Sequence, residues 1–208
     1  MHPSFPIGNM INSKGAIGNQ IGSGFRGKGV SEEPIQTFKV VRTKAVEEIL
    51  ELFTHIRVKQ ENVPYQEYEK EGLDKDYQRI AKLVRGKNYT SEDVTQFVLG
   101  LNPESRDRYF DLKLGLFLSA LINEGKDSDY MLYFLGERAP MGCWGADIGY
   151  KNTKNIFIRG NVGSGLGRRM ISGKIEVDGD CLVCAGLEMS GGKIIVRGHG
   201  GEAVGNLS

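Results

Sequence analysis

The stretch GNVGSGLGRRMISGKIEVDGDCLVCAGLEMSGGKIIVRGHGG (Gly160–Gly201) decides the fold. Within and around it, four eight-residue stretches align without gaps: GCWGADIG (Gly142–Gly149), GNVGSGLG (Gly160–Gly167), GDCLVCAG (Gly179–Gly186) and GHGGEAVG (Gly198–Gly205). Their starts step by 18, 19 and 19 residues (142 to 160, 160 to 179, 179 to 198). Between them Ile156, Ile175 and Ile194 share one position, and Ile158, Val177 and Val196 another. Met170 aligns with Met189, and Gly173-Lys174 with Gly192-Lys193. Self-similarity at a fixed period of about twenty residues marks a stacked repeat. Each period reads as one coil, its glycines turning the chain and its aligned Ile and Val stacking inward on the coils above and below. Arg159, Asp178 and Arg197 share an outward register, so parallel stacking makes them a ladder with the acid between two bases.

Upstream of the repeat the pattern is helical. Val46, Ile49, Leu50, Phe53 and Ile56 recur at three- and four-residue steps, as do Tyr77, Ile80, Ala81 and Val84. Thr90 with Asp93 predicts a capping box ahead of Val94, Phe97, Val98 and Leu101. Tyr109–Ile122 is apolar nearly all round, which predicts a buried central helix. Tyr130–Leu135 is short, aromatic and ambiguous, and a strand is expected at Ile35–Val41. The segments are therefore a glycine-rich stretch at 1–34, a helical domain at 35–138 and the repeat at 139–208. GAIGNQIG (Gly15–Gly22) fits the eight-residue pattern, so the first segment is either a further coil or a tail.

Composition narrows the function classes. A formal net charge of +1 argues against gripping nucleic-acid phosphates or an anionic membrane, both of which need a basic excess. No apolar run approaches the roughly 20 residues of a membrane span, and no secretory signal is visible. Three cysteines are too few for a disulfide framework, so a reducing cytoplasm is the expected compartment.

The pattern G-x-x-G-x-x-x-G, then Met, then Gly-Gly-Lys, then Ile-x-Val-x-Gly, resembles the GXGXG family. That family includes the C-terminal domain of glutamate synthase and one of the subunits of formylmethanofuran dehydrogenase. The resemblance covers about the last seventy residues. It implies a right-handed β-helix that spaces catalytic parts or holds subunits together, and, if the chain serves an enzyme, an oxidoreductase of one of those two types.

The chemistry-bearing residues each have a competing explanation. Cys181 and Cys184 form a CxxC, the spacing of zinc sites and redox dithiols. They align, however, with apolar or small positions of the repeat, where a free thiol is a small hydrophobe. Cys143 and His199 are the further ligands available, but three coil steps would hold them roughly 14 Å apart. His199 shares a register with Asn161 and Asp180, a corner ladder that reads either as an acid–base set or as side chains bonded to turn backbone. Gly15–Gly29 lacks the strand, helix and Gly-Lys-Ser/Thr ending of a nucleotide loop. Arg168-Arg169 and the acids Glu47, Glu48 and Glu51 read as solvated surface, and Trp144 as a seal between helices and repeat.

The expected fold is thus α+β: a helical block followed by a short right-handed β-helix of about four coils. The expected function is a non-catalytic scaffold that contacts a second copy of itself or a redox or amidotransferase subunit. No catalytic residue, cofactor or metal ligand is assigned. The functional positions are the repeat glycines Gly142, Gly149, Gly160, Gly167, Gly179, Gly186, Gly198 and Gly205. The last coil carries no capping helix, which favours a partner there. Two further readings stay open: an enzyme with its site in the groove between helices and repeat, and a zinc or redox protein using Cys143, Cys181 and Cys184.

Overall fold

Four helices carry the sequence periodicities. Helix α1 (Lys44–His55) starts where the Thr43 hydroxyl accepts the Val46 N–H at 3.1 Å, and it buries Val46, Ile49 and Phe53. A π-helical turn at Tyr68–Gly72 leads into α2 (Leu73–Val84), which buries Tyr77, Ile80, Ala81 and Val84. Helix α3 (Ser91–Leu99) opens with the reciprocal capping box of Thr90 and Asp93. Helix α4 (Phe110–Glu124) has twelve of its fifteen residues buried, and only Asp111, Asn123 and Glu124 escape. Phe53 packs against Phe97, Phe110 and Phe117 with ring centroids 5.3–5.7 Å apart, which joins α1, α3 and α4. The computed structural model describes residues 39–58, 68–101, 109–134 and 144–200. All of these but Lys39 belong to one unit, Val40–Ser208.

The repeat builds a single sheet. Strands β1 (Asp129–Tyr133), β2 (Asn155–Arg159), β3 (Lys174–Asp178) and β4 (Lys193–Val196) lie side by side, all parallel, in the order β1-β2-β3-β4. The register pairs Tyr130 with Ile156, Ile156 with Ile175 and Ile175 with Ile194, and likewise Leu132, Ile158, Val177 and Val196 in turn. These side chains form two inward rows, and Ile156, Ile158, Ile175 and Val177 are each at most 2% exposed. Burying an Ile or Val fully is worth about 1.5–3 kcal/mol, so these rows are the main cohesion between repeats.

The expected right-handed β-helix is not what these strands make. The described residues form an α/β-like fold: four helices and one open, all-parallel, four-stranded sheet. A β-helix needs two or three sheets running along its axis, hence two or three strands in every coil. Here each repeat supplies one strand of four or five residues. Its other stretch makes a single isolated bridge, in the series Trp144, Val162, Cys181 and Gly200, and then turns. Left-handed backbone cuts those stretches short: φ is 58° at Asp147, 75° at Gly165 and 64° at Cys184. Such residues are not extended, so no strand runs through them, although single bonds to the next repeat persist, Asp147 N–H to Ser164 O at 2.8 Å and Gly165 N–H to Val183 O at 3.0 Å.

Two local expectations also change. Asp129–Tyr133 supplies β1 from the ambiguous aromatic stretch. Lys39–Arg42 carries no strand, and the remainder of the expected strand at Ile35–Val41 lies outside the described residues.

Helix α4 fixes the start of the repeat. A Cβ at Gly115 would overlap the Ala146 carbonyl, so only glycine allows this approach of helix to turn. Around that point the Ala146 N–H donates to Asp111 O at 2.9 Å and the Tyr150 N–H to Ser119 Oγ at 3.0 Å. The Ser119 hydroxyl lies 2.7 Å from Gly115 O and 3.1 Å from Asp147 O. Trp144 stacks on Phe134 at 5.6 Å and is 2% exposed.

Candidate functional site

Among the repeat glycines, Gly149, Gly167 and Gly186 form one column with φ of 76°, 66° and 72°. A Cβ on Gly149 would meet Ile175 Cδ1, and one on Gly167 would meet Ile194 Cδ1. Gly160, Gly179 and Gly198 form a second column, where successive backbones approach too closely for a side chain: a Cβ at Gly179 would meet Gly160 O, and one at Gly198 would lie 2.6 Å from Gly179 O. Among the described residues both columns turn the chain and face neighbouring repeats. Gly142 and Gly205 lie outside the described residues, as do Gly15–Gly29 and Cys143.

A polar cluster joins α2 to the turns of the repeat. Lys151, Arg169 and Glu188 occupy equivalent positions, two residues after the glycines of the first column, with φ of 52°, 54° and 57°. Three different side chains share that conformation, so the turn demands it. Arg169 Nε bonds Glu188 at 2.6 Å, and its Nη1 donates to the Tyr150 hydroxyl at 3.0 Å. That hydroxyl donates to Asp74 Oδ1 at 3.2 Å, and Lys151 pairs with the same carboxylate. Asn123 Nδ2 donates to Tyr77 Oη at 2.9 Å and to Tyr150 O at 3.1 Å. Burial pushes the Tyr150 phenol up to about 12, against the pull of Arg169, while Asp74 adds to the rise. A phenol that holds its proton at neutral pH, among charges already paired, joins two elements better than it performs acid–base chemistry. An apolar depression of about 10 Å³ lies elsewhere, between α1, α2 and α4, and is lined by Ala45, Ile49, Val84 and Leu121 among others. That volume is at the limit for one water molecule.

Arg168 departs from its expected surface role. It is 4% exposed, and its Nε lies 2.6 Å from Asp147 Oδ1, itself on a buried residue. Its alignment with Tyr150 and Leu187 carried the signal, since a charge in an otherwise apolar column is a buried, paired charge. The outward ladder also differs from expectation. Arg159 pairs with Asp178 at 3.5 Å, but Arg197 turns diagonally to Glu176, which Lys174 also holds. Hydrogen bonds from Lys174 and Arg197 keep that carboxyl below the usual glutamate range.

The corner set Asn161, Asp180 and His199 is brought together: the His199 ring Nδ1 lies 3.3 Å from Asp180 Oδ1, and the shorter bonds run to backbone. Asn161 Oδ1 accepts the Asp180 N–H at 2.9 Å, and Asp180 Oδ1 accepts the His199 N–H at 2.7 Å. Each side chain thereby fastens the turn of the next repeat, while the His199 ring is almost fully exposed. Cys181 is buried in the bridge series and Cys184 is half-buried at a turn. Among the described residues no group of three His, Cys, Asp or Glu side chains is placed to hold a metal ion. Nor is any described helix long and apolar enough to cross a membrane.

The two edges of the sheet differ most. At β1 the Thr95 hydroxyl of α3 donates to Met131 O at 2.6 Å, and the Ser91 N–H reaches Asp127 at 2.6 Å. At β4, among the described residues, pairing exists on the β3 side alone. There Ile194 and Val196 are only half-buried, although they extend the inward rows. No family model, curated protein or solved structure matches the chain.

Proposed function

We propose that the chain is a non-catalytic assembly module whose β4 edge docks onto a partner, either a second copy or a larger redox or amidotransferase subunit. One observation carries this: the inward rows, fully buried at β2 and β3, reach β4 with Ile194 and Val196 half-exposed beside a strand edge that no described strand pairs. An open edge of this kind accepts an added strand, because its N–H and C=O groups template pairing while the adjoining apolar side chains supply burial. The motif resemblance to the GXGXG family points the same way, toward holding subunits together. The net charge of +1 gives no basis for a nucleic-acid partner.

The test pairs light scattering of the purified chain with affinity capture from its native extract, each repeated on Ile194→Glu. The expected result is a defined homo-oligomer or a complex of fixed ratio, lost in the variant while the circular dichroism stays unchanged. A wild-type monomer at ~500 μM that retains nothing in fixed ratio would end the proposal; a charge buried in a real interface costs several kcal/mol, so the contrast is large.

A further inference from the structure

The outward face of the sheet is a second surface, separate from the β4 edge. Its centre row runs Met131, Phe157, Glu176, Ile195 across the four strands. Met131 is 41% exposed, and Phe157 and Ile195 are half-buried. Charges frame this row on both sides. One flank runs Asp129, Asn155, Lys174, Lys193, all exposed, and the other carries Arg159 beside Asp178, with side chains 43% and 48% exposed.

We infer that this face packs against the same face of a second copy, about a two-fold axis parallel to the strands and passing between β2 and β3. The charge order decides the geometry. Such an axis lays β1 over the other copy's β4, and β2 over its β3, with strand direction preserved. Asp129 then faces Lys193 of the second copy, Asn155 faces Lys174, and Arg159 faces Asp178. Met131 meets Ile195. Phe157 covers Glu176, whose charge Lys174 and Arg197 already offset within its own chain. Because the interface is isologous, every such pair occurs twice. The alternative axis, perpendicular to the strands, would lay Lys193 over Arg197 and Glu176 over its own copy against one attractive match, Lys174 over Asp178, whereas the strand-parallel axis has no like-charge match. Aligned packing of two sheets about 10 Å apart suits the strand-parallel arrangement.

Size sets the strength. Four strands about 4.8 Å apart and five residues long cover roughly 300 Å² in plan, well below the ~800 Å² per partner of a stable complex. The pairing is therefore weak and reversible, with dissociation expected at about 100 μM or above. The inference rests on the assembly reading but uses a different surface.

The experiment is sedimentation equilibrium from ~10 μM to ~1 mM on the wild-type chain, Asp129→Lys, Lys193→Glu, the double swap and Ile194→Glu, at low salt. Each single charge reversal is expected to weaken dimerisation about ten-fold, and the double swap to restore it, since the pairs re-form with inverted sign. Zero-length carbodiimide cross-linking of the unaltered protein should join Asp129 of one copy to Lys193 of the other. Within one chain these residues are three strand spacings apart, roughly 14 Å, too far for a direct amide. A dimer unaffected by both single reversals, or cross-linked elsewhere, overturns the inference, as does a monomer throughout the range. Loss of association in Ile194→Glu alone would assign it to the β4 edge, leaving the assembly reading standing and the face pairing refuted.

Discussion

The two ends of the sheet are built from the same repeat and finished in opposite ways. At the β1 end, helix, turn and strand interlock: Gly115 admits Ala146 against α4, Ser119 ties both ends of the Asp147–Tyr150 turn to that helix, and Thr95 covers a β1 carbonyl. At the β4 end the register continues, but the side chains on it are only half covered. One set of local rules therefore yields a core strand or a half-covered edge strand, according to what lies beyond it. A repeat buries its inward residues only when it is sandwiched, which is why stacked repeats need distinct ends.

The sharpest way to break the contrast is to truncate the same register position in the middle and at the edge. Ile175→Ala, at a position 0% exposed, is expected to cost about 2–5 kcal/mol in urea unfolding. Ile194→Ala, one strand further on and half-buried, should cost less than half as much in the free chain. If the two costs are equal, β4 is as buried as β3 and the contrast is gone. The next largest effect probes the interlocked end. Gly115→Ala would stabilise an isolated helix by about 1 kcal/mol, but here the methyl meets the Ala146 carbonyl, so a net loss of about 1–3 kcal/mol is expected in thermal or urea unfolding. A gain would mean that α4 does not hold the turn. The smallest effect concerns the covered edge. Thr95→Val keeps the shape and removes the hydroxyl bonded to Met131 O, for an expected loss of about 0.5–1.5 kcal/mol. Faster amide exchange in Asp129–Tyr133 should accompany it.

How much was legible from sequence varies with the kind of interaction. Helix faces such as Val46, Ile49 and Phe53, and the Thr90–Asp93 capping box, depend on neighbours within a few residues, so spacing alone reveals them. The register Ile156–Ile175–Ile194 was equally plain, because stacked repeats place equivalent residues together. Strand β1 was hidden by spacing: Asp129 lies 15 residues before Trp144, while Asn155, Lys174 and Lys193 each lie 7 before Val162, Cys181 and Gly200 (144 − 129 against 162 − 155, 181 − 174 and 200 − 193). Eight extra residues break the period where the repeat begins. The buried Arg168–Asp147 pair was hidden differently, since two adjacent arginines look like solvated surface until their register is compared with Tyr150 and Leu187.

By itself the sequence determined the nineteen-residue step, the parallel stacking it implies, the inward Ile and Val rows and the helices packed beside them. Only the tertiary structure decided that each repeat contributes one strand and not two or three, because a period counts residues and does not say how many of them stay extended. Left-handed backbone at Asp147, Gly165 and Cys184 ends the second extended stretch in the three repeats where that position is described, and two of those three residues are not glycine. The tertiary structure alone also decided which end of the stack is covered. Burial is a property of what lies across an interface, and no residue carries that information in its own spacing.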